Sequence, residues 1–368
     1  MRIRHRSKTG TRDDERGQAL ALFAGGLVAL LVAGGFVLDG GLAFVNRRDA
    51  QNSADLGALA GTHVIAEHYL AGGGSGGGDA VHAAIGQAVQ DNGCTTGGDV
   101  PCSWTAQYVR PTTGFNYATL GNVANGGNIP SNAQGVQVSI DRSPPSFFLR
   151  VIGQTEWDVG ADATAITARI ENPGQGILLP IAFDPGPDRD LGGIDTSEEG
   201  FPDPPPVYVF SEGKDAPGNF SWLSWYDEND AVTLVNSICE PSNPAMVFPT
   251  YVPGGPGKMN KKQGRDCLDD YIGETVFIPF WGEGEEACGE GQVQGNGANT
   301  KFCILGFAAF ELLGRDFGGD NQAVDGLYGR LQRFVNIISV GENFSGPPCN
   351  PSSDSSCGSF SSYLGLVD

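Results

Sequence analysis

Twenty consecutive residues near the start of the chain carry no charge: Ala19 to Leu38, ALALFAGGLVALLVAGGFVL. At about 1.5 Å per residue, a helix of that length spans roughly 30 Å, the thickness of the hydrocarbon layer of a bilayer. In lipid the helix is forced, because backbone groups find no water to bond. The competing reading is a cleaved secretory signal. Its apolar core normally runs about 7–15 residues, and no convincing small-x-small cleavage site follows Leu38. Both readings export the remainder of the chain, and the length favours an anchor at 19–38.

Charge sets the expected orientation. Arg2, Arg4, Arg6, Lys8, Arg12 and Arg16 precede the apolar run, among Asp13, Asp14 and Glu15, while only Arg47 and Arg48 follow closely. The positive-inside rule puts residues 1–18 in the cytoplasm and the body outside. The formal net charge is -21, from 22 basic and 43 acidic residues. Without that tail the chain keeps 16 basic and 40 acidic residues. A body so acidic repels nucleic acid, which excludes DNA or RNA as a partner.

All eight cysteines lie after residue 90, as expected for an oxidising compartment. Sequential pairing would join Cys94 to Cys102, Cys239 to Cys267, Cys288 to Cys303 and Cys349 to Cys357. Eight cysteines allow about 105 connectivities, so this is one choice among many. No close Cys-x2–4-Cys pair supports zinc instead.

Small residues Gly17, Ala21, Gly25, Ala29 and Ala33 recur every four positions. Such a row stays near one helix face and admits a second helix closely. The helix is expected to continue as a stalk over 39–71. Ala50, Ala54, Ala58 and Thr62 repeat the spacing, with Leu56, Leu59 and His63 beside them, and suit packing against the body or a partner. A Gly-rich linker at 72–79 should be flexible. Asp79 is placed to cap a helix over 80–90.

Period-two patterns then take over. Val136, Val138 and Ile140 alternate with polar residues, as do Trp157, Val159, Ala161, Ala163 and Ala165. Pro145 to Ile152 has the form of a short helix opened by proline. Asn172-Pro173-Gly174 marks a boundary between regions 80–172 and 173–368. Further strands are expected at 176–183, 207–210, 275–280, 302–310 and 331–340. With 56 glycines and 23 prolines, loops should be long. The fold class is α+β: a transmembrane and stalk helix, then a β-rich, disulfide-linked exported region.

Motifs for chemistry mostly fail on geometry. Gly73-Gly-Ser-Gly-Gly77 fits G-x-S-x-G but sits in a glycine run, not between strand and helix. His63 and His68 are five apart, about 140° around a helix, and cannot share a metal there. No histidine follows His82, which removes most triads from the body. Asp184, Asp188 and Asp190, and Glu283, Glu285 and Glu286, lack the spacing of an EF-hand. Trp222, Trp225, Tyr226 and Trp281 fit a core better than a binding surface. No catalytic, metal or cofactor site is expected.

Arg16-Gly-Gln18, the apolar run, Asp39-Gly-Gly41 and then Gln51-Asn52-Ser53-Ala54-Asp55-Leu56-Gly57-Ala58-Leu59-Ala60-Gly61 resemble the N-terminal module of TadE/TadG-like Flp pilus-assembly proteins. The family pattern is roughly RGQ, a membrane helix, D-x-G and QxAADAAALAG. Ser53, Leu56 and Gly57 depart from its alanines. Weaker echoes lie at 145–153, 161–165, 217–223 and 306–310. The resemblance implies a pilin-like region at 80–172 and a role in pilus assembly or secretion. That role would be envelope-anchored and non-enzymatic, exercised through contact with the bilayer and with other Tad/Flp membrane proteins. The residue five beyond Gly17 is Leu22, not the Glu of pilin-type processing. The rivals are an anchored carboxylate-dependent hydrolase and a surface adhesin or wall-binding protein. Oligomeric state is left open.

Overall fold

The computed structural model describes residues 12–95, 97–98, 100–112, 116–170, 174–183, 207–211, 222–226, 230–255, 262–281, 288, 293–295, 299–316, 326–332, 334–335, 344–348 and 362–367. The basic tail before Arg12, the acidic triplets at 184–190 and 283–286, Cys349, Cys357 and the centre of the expected boundary at 172–173 lie outside these residues. Tertiary contacts divide the chain into two compact units. One comprises Met1–Gly57, Gly86–Thr105 and Val138–Ala163; the other comprises Ala58–Ile85, Ala106–Gln137 and Thr164–Asp368.

Helix α1 runs unbroken from Arg12 to Leu70. It is the one helix among the described residues long and apolar enough to cross a membrane. It closes on glycine: Gly72 has φ +96° and its amide bonds the Tyr69 carbonyl, while Gly73 bonds that of His68. Helix α2, Gly78–Asp91, starts two residues before the expected 80. Asp79 therefore lies within its first turn, where its carboxylate accepts the Gly126 amide. The preceding glycine run is not slack to its end. A Cβ at Gly77 would lie 2.8 Å from Ile129, and Gly78 donates to the Gly127 carbonyl.

A sheet follows, built from β1 (Cys102–Pro111), β2 (Tyr117–Asn122), β3 (Gly135–Arg142) and β4 (Val159–Ile170). A short 3-10 turn, Leu149–Ile152, lies between β3 and β4, where a proline-opened helix is expected. The later strands are β5 (Val207–Ser211), β6 (Thr250–Pro253), β7 (Thr275–Trp281), β8 (Val293–Gln294), β9 (Lys301–Asp316) and β10 (Gly326–Gln332). Three more complete the set: β11 (Phe334–Val335), β12 (Phe344–Ser345) and β13 (Ser362–Val367). Helices α3 (Ala231–Cys239) and α4 (Lys262–Asp270) intervene. The first sheet has the order β11-β13-β4-β3-β1-β2, with β12 also on β4. The second has the order β5-β10-β9-β6, with β7 and β8 also on β9.

Strand β9 organises the second sheet and is buried on both faces. Phe302, Ile304, Phe307 and Ala309 join one apolar cluster, with Ile166, Ile170 and Tyr363 of the first sheet. Cys303, Leu305, Ala308, Phe310 and Leu312 join the other, with helix residues Leu234, Ile238 and Leu268. The cluster face switches from even to odd positions between Ile304 and Phe307. The cause is a bulge: Phe280 pairs with Gly306 and Trp281 with Ile304, leaving Leu305 extra. One inserted residue moves every later side chain to the opposite face.

The segment expected as a strand at 176–183 makes isolated bridges instead, to Phe277, Trp222 and Phe280. Pro180 interrupts any ladder, since it has no amide to donate. The amides of Ile177 and Leu178 both bond the Asn243 side chain, at 2.7 Å each. Strand 331–340 is also divided, into β10 and β11, with 336–340 outside the described residues. Trp222, Trp225 and Trp281 are core residues; Tyr226 is exposed, its hydroxyl on the Ser242 carbonyl at 2.8 Å.

Within the second unit, α1 is stitched to the first sheet through Thr62. Its hydroxyl donates to the Ala165 carbonyl at 3.0 Å and accepts the Val136 amide at 3.2 Å. Thr62→Val keeps the shape and strands both main-chain groups in a buried setting. The expected loss is about 1–3 kcal/mol, read as a lower denaturant midpoint of the full chain. Thr62→Ser should recover most of it; equal losses in both variants would reject the hydrogen-bond account.

Candidate membrane-helix anchoring site

Asp39 is the first charged residue after the apolar run, and it is only 2 % exposed. One residue beyond a membrane span, a bare carboxylate would carry a heavy desolvation cost. Here the turn after β3 supplies its partners. Ser146 donates its hydroxyl at 2.8 Å. The amides of Phe147, Phe148 and Leu149 donate at 3.0, 3.0 and 2.8 Å. The turn can aim these amides at one carboxylate because they open a 3-10 helix and are not used within it. Burial pushes the Asp39 pKa up, and the four hydrogen bonds together more than reverse it, leaving it below the ordinary 3.8.

Neighbouring contacts fix the same junction. Gly35 is buried, and a Cβ there would run into Phe148. Trp157 meets the Phe36 ring edge-on, 6.4 Å between centroids. Further along α1, Arg142 is buried, with its guanidinium 3.6 Å from Asp49 and bonded to the Asn92 carbonyl at 3.5 Å. Ser53 donates to that same carbonyl at 2.9 Å. Cys94 and Cys102, bonded as expected, tie the end of α2 to the start of β1.

The other expected site residues separate by burial. Ala50, Ala54, Ala58 and Thr62 are all fully buried, so the second small-residue row is a packing face. Gly61 belongs to it, since a Cβ there would lie 2.7 Å from Ile85 and 2.9 Å from Val136. Gln51 donates to Asp55 at 2.7 Å and to the Asp162 carbonyl at 3.3 Å. Asn52 is exposed, and Leu59 and Ala60 are half-buried. In the membrane row Ala21, Gly25, Ala29 and Ala33 are exposed, and nothing lies within 4 Å of a Cβ at Gly25; Gly17's surroundings are outside the described residues. Cys239–Cys267 and Cys288–Cys303 are bonded as in the sequential scheme. His63 rests against Phe334, ring centroids 5.0 Å apart, and no group of metal-holding side chains exists among the described residues.

Sequence reasoning noted Asp39 as a motif position but missed its partners. The available signal was an acid flush against an apolar run, with a Pro-Pro-Ser-Phe-Phe turn later in the chain.

Residues 17–73, which contain Asp39 and both small-residue rows, match the Tad family model, described as "Putative Flp pilus-assembly TadE/G-like". The family likeness is to this N-terminal segment. No curated protein and no solved structure matches the chain. The matched segment takes in α1 from residue 17 onward and the turn that ends it; the sheets lie beyond it.

The Asp39 contacts carry a signed pH dependence. A carboxylate held below its ordinary pKa contributes stability that is complete above that ordinary value and is lost as pH falls through the lowered one. Asp39→Asn should therefore lower the thermal midpoint of the detergent-solubilised chain at neutral pH. The gap from the parent should close as pH drops below about 4. A gap that is absent, or that persists unchanged into acid, would contradict the assignment.

Proposed function

We propose that this protein is an envelope-anchored component of Flp/Tad pilus assembly or secretion, acting by protein contact and without catalysis. Residues 19–38 cross the cytoplasmic membrane with the N-terminus inside. Helix α1 carries on into the exported body, and partners bind within the membrane and outside it. The single observation that carries the reading is the Tad match over the membrane helix and its continuation.

Three further features support it. The apolar part of α1 is almost wholly uncovered, whereas the segment from Ala50 onward is packed. Disulfides suit an oxidising compartment. The basic residues before the helix outnumber those just after it. In this reading the exposed row Ala21, Gly25, Ala29 and Ala33 is where another membrane helix packs.

The test is co-purification in mild detergent from cells that carry a Tad system. The tagged parent should retain other Tad membrane components. Gly25→Leu with Ala29→Leu should reduce that yield several-fold without lowering the thermal midpoint, because the Gly25 site is open in the chain itself. Recovery of the parent without Tad components, or a double variant that retains them fully, would count against the proposal.

A further inference from the structure

We infer that the turn from Pro145 to Gly153 is a second membrane contact, seated in the lipid interface beside the Asp39 end of the helix. Phe147, Phe148 and Val151 are 68 %, 48 % and 89 % exposed within five residues. Three large apolar side chains so close together are a costly water-facing surface.

The height of the turn is fixed by its contacts. Phe148 lies against Gly35, and Trp157 against Phe36. Gly35 and Phe36 both belong to the uncharged run, so the turn reaches the depth of the last helical turn of the span. Through Phe148 on Gly35 and Trp157 on Phe36 the turn adjoins the last turn of the apolar run, where Phe36, Val37 and Leu38 are themselves exposed. That adjacency to the exposed end of the apolar run selects a bilayer as the occupant.

The backbone of the turn is prepared for a dry setting. Asp39 takes the amides of Phe147, Phe148 and Leu149. Ser146 bonds the Thr155 carbonyl at 2.9 Å, Val151 that of Phe148 at 3.2 Å, Gly153 that of Arg150 at 3.1 Å and Gln154 that of Leu149 at 3.1 Å. Pro144 and Pro145 have no amide to satisfy. Irregular backbone enters low dielectric only when its polar groups are paired in this way. Exposed Arg150 supplies a cation for lipid phosphate, and half-buried Trp157 a ring of the kind that prefers the interface.

The inference rests on the helix crossing the membrane, and the experiment separates the two claims. The full chain carries an environment-sensitive fluorescent amino acid at Val151, or in a second variant at Phe147. It is reconstituted in phosphatidylcholine–phosphatidylglycerol vesicles with brominated acyl chains. Probes at Leu27 and at Gln90 serve as inside and outside references. Gln90 adjoins Asn92, whose carbonyl binds Ser53, roughly 20 Å along the helix from Asp39. Quenching at Val151 and Phe147 several-fold above that at Gln90 is expected. Quenching at Leu27 with both turn probes at the Gln90 level would overturn the second contact, leaving a protein occupant for that surface. An unquenched Leu27 would overturn the membrane crossing and this inference with it.

Discussion

One buried carboxylate governs how the long apolar helix meets the rest of its unit. Asp39 stands where the apolar run ends, and its charge is acceptable there only because Ser146 and three consecutive amides receive it. Those amides belong to residues more than a hundred positions away in sequence. The bond is therefore tertiary, and it holds helix and turn together where the apolar run ends. Without it, a charge and three amides would need water at a place of limited supply.

The rest of the helix follows a simple division of labour. Small residues occur at four-residue spacing on both sides of Asp39, but their surroundings differ. Past it, Ala50, Ala54 and Ala58 are closed over by protein. Before it, Ala21, Gly25, Ala29 and Ala33 are exposed, and a Cβ at Gly25 would meet nothing among the described residues. The same backbone property, close approach without side-chain bulk, serves internal packing in one half and is free for lipid or a second helix in the other. The Tad match spans both halves, as expected if the family pattern records this arrangement.

The long helix was legible because its signals are local. Twenty uncharged residues and the Ala50–Thr62 row need no tertiary knowledge, whereas the three disulfides agree with the sequential scheme, which was one choice among many. The even-odd alternation at Val136 and Val159 led to β3 and β4. Elements whose identity depends on neighbours were not legible. Strand β9 was expected over 302–310 and runs Lys301–Asp316, but its burial on both faces and its change of parity at Leu305 were not legible, because no single period describes it. Helices α3 and α4 and strands β1, β2 and β13 were not anticipated; β2, for example, is largely exposed and carries no alternating apolar signal. At the anchoring site Asp39 was visible as a motif position. Its role was not, because the partners Ser146 to Leu149 are distant and mostly main-chain amides.

Hydrogen–deuterium exchange of the full chain in lipid nanodiscs addresses the Asp39 junction most directly. The amides of Phe147, Phe148 and Leu149 should exchange slowly at neutral pH in the parent and much faster in Asp39→Ala, with Val136 and its neighbours unchanged. Fast exchange at those three amides in the parent, or slow exchange that survives loss of the carboxylate, would contradict the account.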